Sequence, residues 1–328
     1  CAEDIPLVLR RAAKIALTPP TGPVFISLPG NALRGVAKMD LGAVTRLATA
    51  SRPEEGDIAR LAERLLAAER PVLISCHEVF TEDALAEMVE VAELLGAPVL
   101  GHSSANTFTF PPQHPLYVRA LMRDAAQVHA CLQAYDLAFM VGAGLVENIR
   151  GEAGPLPDDL PVLQVTHNDW ELGKNFAVEQ GLFAAVKPTL RALATELKSR
   201  STPAQTERTI HRTKAIAADN WSTRRAAMFA RLAGEASGPN GPITNDWLMM
   251  TIAQSLPRDT VLLGEAPTTI AHAQEMLDAT DRLSYFGPAS GGIGWGLPGA
   301  VGTKLALPHR PVVALIGDGS AMYSPQGL

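Results

Sequence analysis

The sequence predicts an α/β protein built on parallel sheets flanked by helices. Two observations carry this. The runs 72–76, 137–141 and 312–316 are apolar at nearly every position, as strands covered on both faces must be. Between such runs lie stretches with apolar residues at helical spacing, and that alternation joins parallel strands through crossovers. Composition agrees, with 47% apolar, 19% charged and 5% aromatic residues, 27 Gly and 25 Pro.

The 328 residues are too many for one ordinary core and imply two or three domains. The 28 Lys and Arg against 34 Asp and Glu give a net charge of -6, with no basic run long enough to track a phosphate backbone, so nucleic acid is not an expected partner. Cys1, Cys76 and Cys131 are far apart and lack metal-ligand spacing. Three reduced thiols fit a cytoplasmic protein better than disulfides do. No apolar run approaches membrane-spanning length and no leader opens the chain, so neither membrane nor secretion is expected.

Along the chain, Asp4, Ile5 and Pro6 open a helix with Val8, Leu9, Ala12, Ile15 and Ala16 on one face. Pro19 to Gly22 break it, and 24–28 reads as a buried strand. Residues 31–53 have no strong period and look like a linker. From Glu54 the order is helix 58–69, strand 72–76, helix 82–95 closed by Gly96, strand 99–100, helix 125–135, strand 137–141, a Gly/Pro-rich loop, strand 162–165 and a helix after Pro188. A charged helix at 209–232 leads to the linker 234–242. The last unit reads helix 245–256, strand 261–263, helix 269–277, a glycine-rich loop opening a helix through Leu305, and strand 312–316. Ser324 and Pro325 mark a further helix start.

Three segments of that last unit could carry chemistry. Gly317-Asp318-Gly319-Ser320 follows an apolar strand, where ligand sites of parallel sheets lie. A carboxylate between two glycines can reach a hard cation while bare backbone approaches an anion. Taken alone, it is equally a tight turn with an exposed Asp. In the run from Ser290 to Gly299, Gly294, Gly296 and Gly299 match the dinucleotide spacing G-x-G-x-x-G, with Asp318 as the ribose acid. Several residues, Pro288 among them, separate those glycines from any preceding strand, which argues against a nicotinamide cofactor. Glu265 to Thr269 ends a strand and opens a helix, placing amides and hydroxyls where an anion could sit or where a plain N-cap would do.

The stretches SGGIGWGLPGAVGTKLALPHRPVVALIGDGSAMYS and APVLGHSSANTFTFPPQHPLY resemble thiamine diphosphate (ThDP) enzymes, in particular benzoylformate decarboxylases and acetolactate synthase-like proteins. The resemblance spans essentially the whole chain. It implies a three-domain architecture truncated at both ends: 1–45 as the tail of a pyrimidine-binding domain, including PTGPVFISLPG, 54–200 as a central Rossmann-like domain, 201–242 as linker helix and loop, and 243–328 as the first half of a diphosphate-binding domain.

The same resemblance implies that Asp318 ligates Mg²⁺ and that Thr268, Thr269, Gly317, Gly319 and Ser320 surround the cofactor diphosphate. Gly291 and Gly292 would lie against the cofactor, the Gly291 carbonyl accepting from its amino group, with Ile293 bulging beneath its rings. The activating Glu is expected upstream of Cys1, and only the opening of the motif that closes on an Asn pair is present, so this chain alone is expected to be inactive. A homodimer or homotetramer is implied, acting on a 2-oxo acid by decarboxylation or carboligation.

An acetolactate synthase-like carboligase or an oxidase is the nearer alternative, the oxidase alone needing a flavin in the central domain. A nicotinamide-dependent oxidoreductase or a non-catalytic remnant is the more distant one. Benzoylformate decarboxylases place an active-site His in the loop that here spans residues 144–151, and this chain has none there. His77, His102, His114 and His272 fall at strand ends, loops or a helix, and nothing in the sequence brings them together.

Overall fold

The computed structural model describes residues 1–38, 42–43, 46–102, 106–144, 154–235, 241–289 and 291–328. A short 3-10 turn, Ala2–Asp4, leads into helix α1 (Ile5–Leu17), and α2 (Gly30–Arg34) follows. None of α1's residues is buried; Leu9, Ile15 and Leu17 are exposed. The strand expected at 24–28 does not form: these residues join no sheet, and Phe25 is 93% exposed. Apolar character alone makes no strand, because the backbone groups need a neighbouring ladder.

A six-stranded parallel sheet forms the centre of the chain. Its elements alternate: α3 (Glu55–Ala67), β1 (Pro71–Ser75), α4 (His77–Thr81), α5 (Leu85–Leu95), β2 (Val99–Gly101), β3 (Tyr117–Ala120), α6 (Ala125–Leu132), β4 (Leu137–Val141), β5 (Val162–Thr166), β6 (Gln180–Phe183) and α7 (Val186–Arg200). The strand order is β3-β2-β1-β4-β5-β6, every pair parallel. Because successive side chains alternate across a strand, the interior ones feed two separate cores. Leu73, Phe139 and Leu163 meet Leu61, Met88, Val91 and Leu193 of α3, α5 and α7. Val72, Ile74, Ala138 and Met140 point the other way, onto Val128 and Leu132 of α6.

Several expected elements differ in detail. The helix expected at 82–95 starts only at Leu85, as α5; the short α4 precedes it, and Asp83, with a φ of 53°, separates the two. Strands β3 and β6 were not expected; lying at the sheet edges, each has only one buried residue and includes a polar one. Helix α7 takes in Pro188, tolerated in a first turn whose N–H groups have no intrahelical partner.

The helix expected at 209–232 is likewise two, α8 (Pro203–Ala217) and α9 (Trp221–Gly234). Asn220 breaks it: its side chain accepts the Thr223 N–H at 2.9 Å and donates to the Pro115 carbonyl at 3.0 Å. Helix α9 stitches the two halves of the molecule together. Trp221 is buried in the core of α3, α5 and α7, Leu232 lies in the core of the last unit, and between them Arg225 donates to the Met276 carbonyl at 2.7 Å. Of the linker, residues 236–240 lie outside the described ones.

The last unit comprises α10 (Asn245–Ser255), capped by Thr244, then β7 (Val261–Glu265), α11 (Ile270–Met276), β8 (Tyr285–Phe286), α12 (Gly296–Ala306), β9 (Val312–Ile316) and α13 (Asp318–Ala321). Its three strands are parallel in the order β8-β7-β9. The helix start expected at Ser324 is only a 3-10 turn, Pro325–Gly327, without a side-chain cap. Among the described residues no helix is long and apolar enough to cross a membrane.

Gly96 ends α5 with φ 56°, and a Cβ there would come within 2.7 Å of the Thr209 carbonyl oxygen on α8. Gly96→Ala combines a left-handed strain with a backbone clash, and should destabilise the protein by about 1–3 kcal/mol. Thermal unfolding of the variant beside the wild type checks this.

Candidate cofactor site

The site begins with a strand register. Pairing of β7 with β9 sets Glu265 opposite Ile316, so the segments leaving both strands, Ala266–Thr269 and Gly317–Ser320, start side by side. The Gly317 N–H donates to the Glu265 carbonyl at 3.0 Å and closes the two together. Thr268, Asp318 and Gly319 are exposed, and Thr269 is half-buried. Ser320 turns inward, 6% exposed, within the single turn of α13. Nothing lies within 4 Å of where a Cβ on Gly319 would stand, and on Gly317 the nearest atom is 3.8 Å away. Two hydroxyls, a carboxylate and open glycine backbone therefore lie on segments that leave the same sheet edge side by side, a donor set suited to an anion with a hard cation. Among the described residues no cluster of three or more His, Cys, Asp or Glu could ligate a metal.

The glycine-rich loop is the third wall. It leaves β8 at Gly287, whose N–H donates to the Asn106 carbonyl at 2.7 Å. Gly291 has φ 73° and open space around it, Gly292 is exposed, and Ile293 is 40% exposed. Beyond them the loop is held from below. Both carboxylate oxygens of Glu265 accept backbone N–H groups, Oε1 from Gly294 and Oε2 from Gly296 at 2.5 Å. This removes the dinucleotide alternative: the amides that would cradle a pyrophosphate face a carboxylate, and β8 ends well before Gly294. Glu265 is also the residue the sequence reading passed over, although it stood in a segment singled out for its threonines. A charged residue closing an otherwise apolar run was the available signal.

At the central sheet, the strand order reverses between β1 and β4, and ligands of such sheets bind in the crevice beyond those ends. Here Glu78 fills it. Its carboxylate accepts the Ala143 N–H at 2.8 Å and the Thr166 hydroxyl at 2.5 Å, and a Cβ on Gly142 would meet it. The structure also brings two of the four histidines together. His77 follows β1 and His102 follows β2; His102 is 3% exposed, and neither of its ring nitrogens has a partner among the described residues. Burial, with smaller contributions from His77 and Arg123, holds its imidazole down at about 4. His272 instead pairs with Asp246, and His114 with Glu93. Of the loop at 144–151, residues 145–151 lie outside the described ones.

Comparison with known proteins identifies the family. The chain matches the thiamine pyrophosphate enzyme central domain over residues 58–193 and the C-terminal TPP binding domain of such enzymes over residues 266–328. It belongs to the ThDP-dependent enzyme family. Its relatives include benzoylformate decarboxylase of Pseudomonas aeruginosa, 30% identical over 98% of this chain and 57% of that protein, and acetolactate synthase of Mycobacterium leprae, 25% identical over 99% and 51%. Among solved structures, benzoylformate decarboxylase from Polynucleobacter necessarius superposes with a TM-score of 0.80 at 25% identity, covering 99% of this chain and 58% of that one. The 4-hydroxybenzoylformate decarboxylase of Rhodococcus jostii RHA1 gives 0.78 at 28% identity, covering 100% and 58%. The chain thus spans little more than half the length of these relatives.

His102 offers a check on the central crevice. Its unfolded form gains a proton near 6.5 and its folded form only near 4, so the unfolded state binds more protons between those values. Stability is then complete above pH 6.5 and falls as the pH drops toward 4, by about 3 kcal/mol in all. Melting temperatures from pH 7.5 to 4.5 should decline, and His102→Leu should flatten that decline.

Proposed function

We propose that the chain forms part of an enzyme that binds ThDP through Mg²⁺ and acts on a 2-oxo acid, by decarboxylation or by carbon–carbon bond formation. The observation that carries this reading is the abutment of the Thr268–Thr269 and Asp318–Ser320 segments at the carboxyl ends of β7 and β9. The residues present fit the group. Asp318 would hold the cation, and Thr268, Thr269, Gly317, Gly319 and Ser320 would surround the diphosphate. Mg²⁺ takes few protein ligands and keeps phosphate oxygens and water in its shell, so one carboxylate suffices. Gly291, Gly292 and Ile293 form the exposed rim that would meet the organic part of the cofactor. Bound there, ThDP supplies the electron sink for breaking the bond to the substrate carboxylate, while the protein contributes orientation and electrostatics.

Glu78 favours chemistry without a flavin. A phosphate placed at the β1/β4 crevice would meet a carboxylate already bonded to the Ala143 amide, and like charges at hydrogen-bonding distance repel. This supports a decarboxylase or carboligase over an oxidase. A cytoplasmic homodimer or homotetramer completes the reading, in keeping with free thiols at Cys1, Cys76 and Cys131.

Calorimetry of the full-length protein tests the cation role: ThDP should bind in the presence of Mg²⁺, and Asp318→Ala should abolish that dependence without lowering the melting temperature. Specificity follows from the loop at 144–151, where Asn148 and Ile149 stand and no imidazole is present. Lacking a general acid there costs about 10²- to 10⁴-fold in proton transfer. The enzyme should therefore prefer pyruvate or another aliphatic 2-oxo acid to benzoylformate in kcat/KM, or release 2-hydroxy ketones. Rapid conversion of benzoylformate to free benzaldehyde would count against it.

A further inference from the structure

Glu265 is 2% exposed, and its side chain makes no ion pair among the described residues. A carboxylate removed from water without a cation is costly unless hydrogen bonds hold its charge. Here two backbone amides do so, and charge-assisted bonds of this kind are about twice as strong as neutral ones. Glutamine would not substitute, because its amide nitrogen would point at one of the two N–H donors. The loop is shaped to this contact. A Cβ on Gly296 would lie 2.9 Å from Glu265 Oε2, while Gly294 has φ 100° and a Cβ there would lie 2.8 Å from Tyr323 Cβ. Meanwhile the main-chain carbonyl of the same residue holds Gly317. One residue on β7 thus grips both neighbouring segments of the face that carries Thr268, Asp318 and Ile293.

We propose that Glu265 is a positioning residue for the cofactor: its carboxylate pins Gly294 and Gly296, so that Gly291, Gly292 and Ile293 stand ready at the rim before ThDP arrives. This rests on the reading that the face binds ThDP, and it adds that the loop is organised by the protein's own buried charge. The residue acts through the loop amides and touches no reacting atom. Ile293 directly precedes the first pinned amide, so freedom at Gly294 passes straight to its side chain.

The test uses the full-length protein with ThDP and Mg²⁺ as probes. In the wild type without cofactor, hydrogen exchange should find Gly294 and Gly296 already protected, with little added by ThDP. Free exchange that becomes protected only on binding would overturn the proposal, and this measurement needs no variant. Glu265→Gln should then weaken ThDP binding by about ten- to a hundredfold in calorimetry. It should raise the apparent KM for ThDP while leaving that for the 2-oxo acid unchanged, a split that general loosening of the fold would not produce. Unchanged ThDP affinity in a folded Glu265→Gln protein would also overturn it. A wild type that binds no ThDP would instead refute the underlying reading, so the two failures are distinguishable.

Discussion

The parallel pairing of β7 with β9 is the constraint on which the candidate site depends. Residues 268 and 318 are fifty positions apart, and no local rule brings them together. The pairing of Glu265 with Ile316 does, because parallel strands end at the same edge of a sheet and deliver whatever follows them to the same place. A slip of one residue would point Glu265 to the other face, losing both loop contacts. Strand register, one buried carboxylate and the conformation of a glycine loop are therefore a single arrangement.

The two carboxylates that organise the chain do similar physical work at different sheets. Glu265 and Glu78 each lie just beyond or at the end of a first parallel strand, and each accepts a backbone N–H from a glycine-rich segment across the sheet edge. Such amides form an anion-binding concavity. When the anion is supplied by the chain itself, the segment is held rigid and closed to a foreign phosphate at those amides. In the last unit the held amides leave an open rim at Gly291 to Ile293; in the central sheet Glu78 occupies the crevice itself. The same device thus leaves different backbone free at the two sheet edges.

Coupling between the halves runs through α9 and through the contact of Gly287 with Asn106. Trp221 and Leu232 sit in different hydrophobic cores, so the helix cannot shift without disturbing one of them. The Asn106 carbonyl lies in the segment between β2 and β3 and fixes the first residue of the glycine loop. The loop is consequently anchored to the central sheet at its start and to β7 at its end.

Where one residue type forces one conformation, the sequence was enough. The buried strands β1, β4, β5 and β7 were legible because a strand covered on both faces is apolar at nearly every position; half-buried β9 was legible from the same apolar run, and Gly96 marked the end of α5 because few other residues accept a positive φ. The edge strands β3 and β6 were not, since an edge is defined by what lies beside it. Nor was the absence of a strand at 24–28, which reflects a missing ladder and not a missing pattern. For the site, the sequence alone determined which residues have suitable chemistry: Asp318, the two threonines and the glycines around Ile293. Only the tertiary structure decided that Glu265 holds the loop, that Glu78 fills the central crevice and that His77 and His102 are neighbours. Each of these depends on residues far apart in the chain meeting at the carboxyl edge of a parallel sheet, a relation that no spacing along the sequence records.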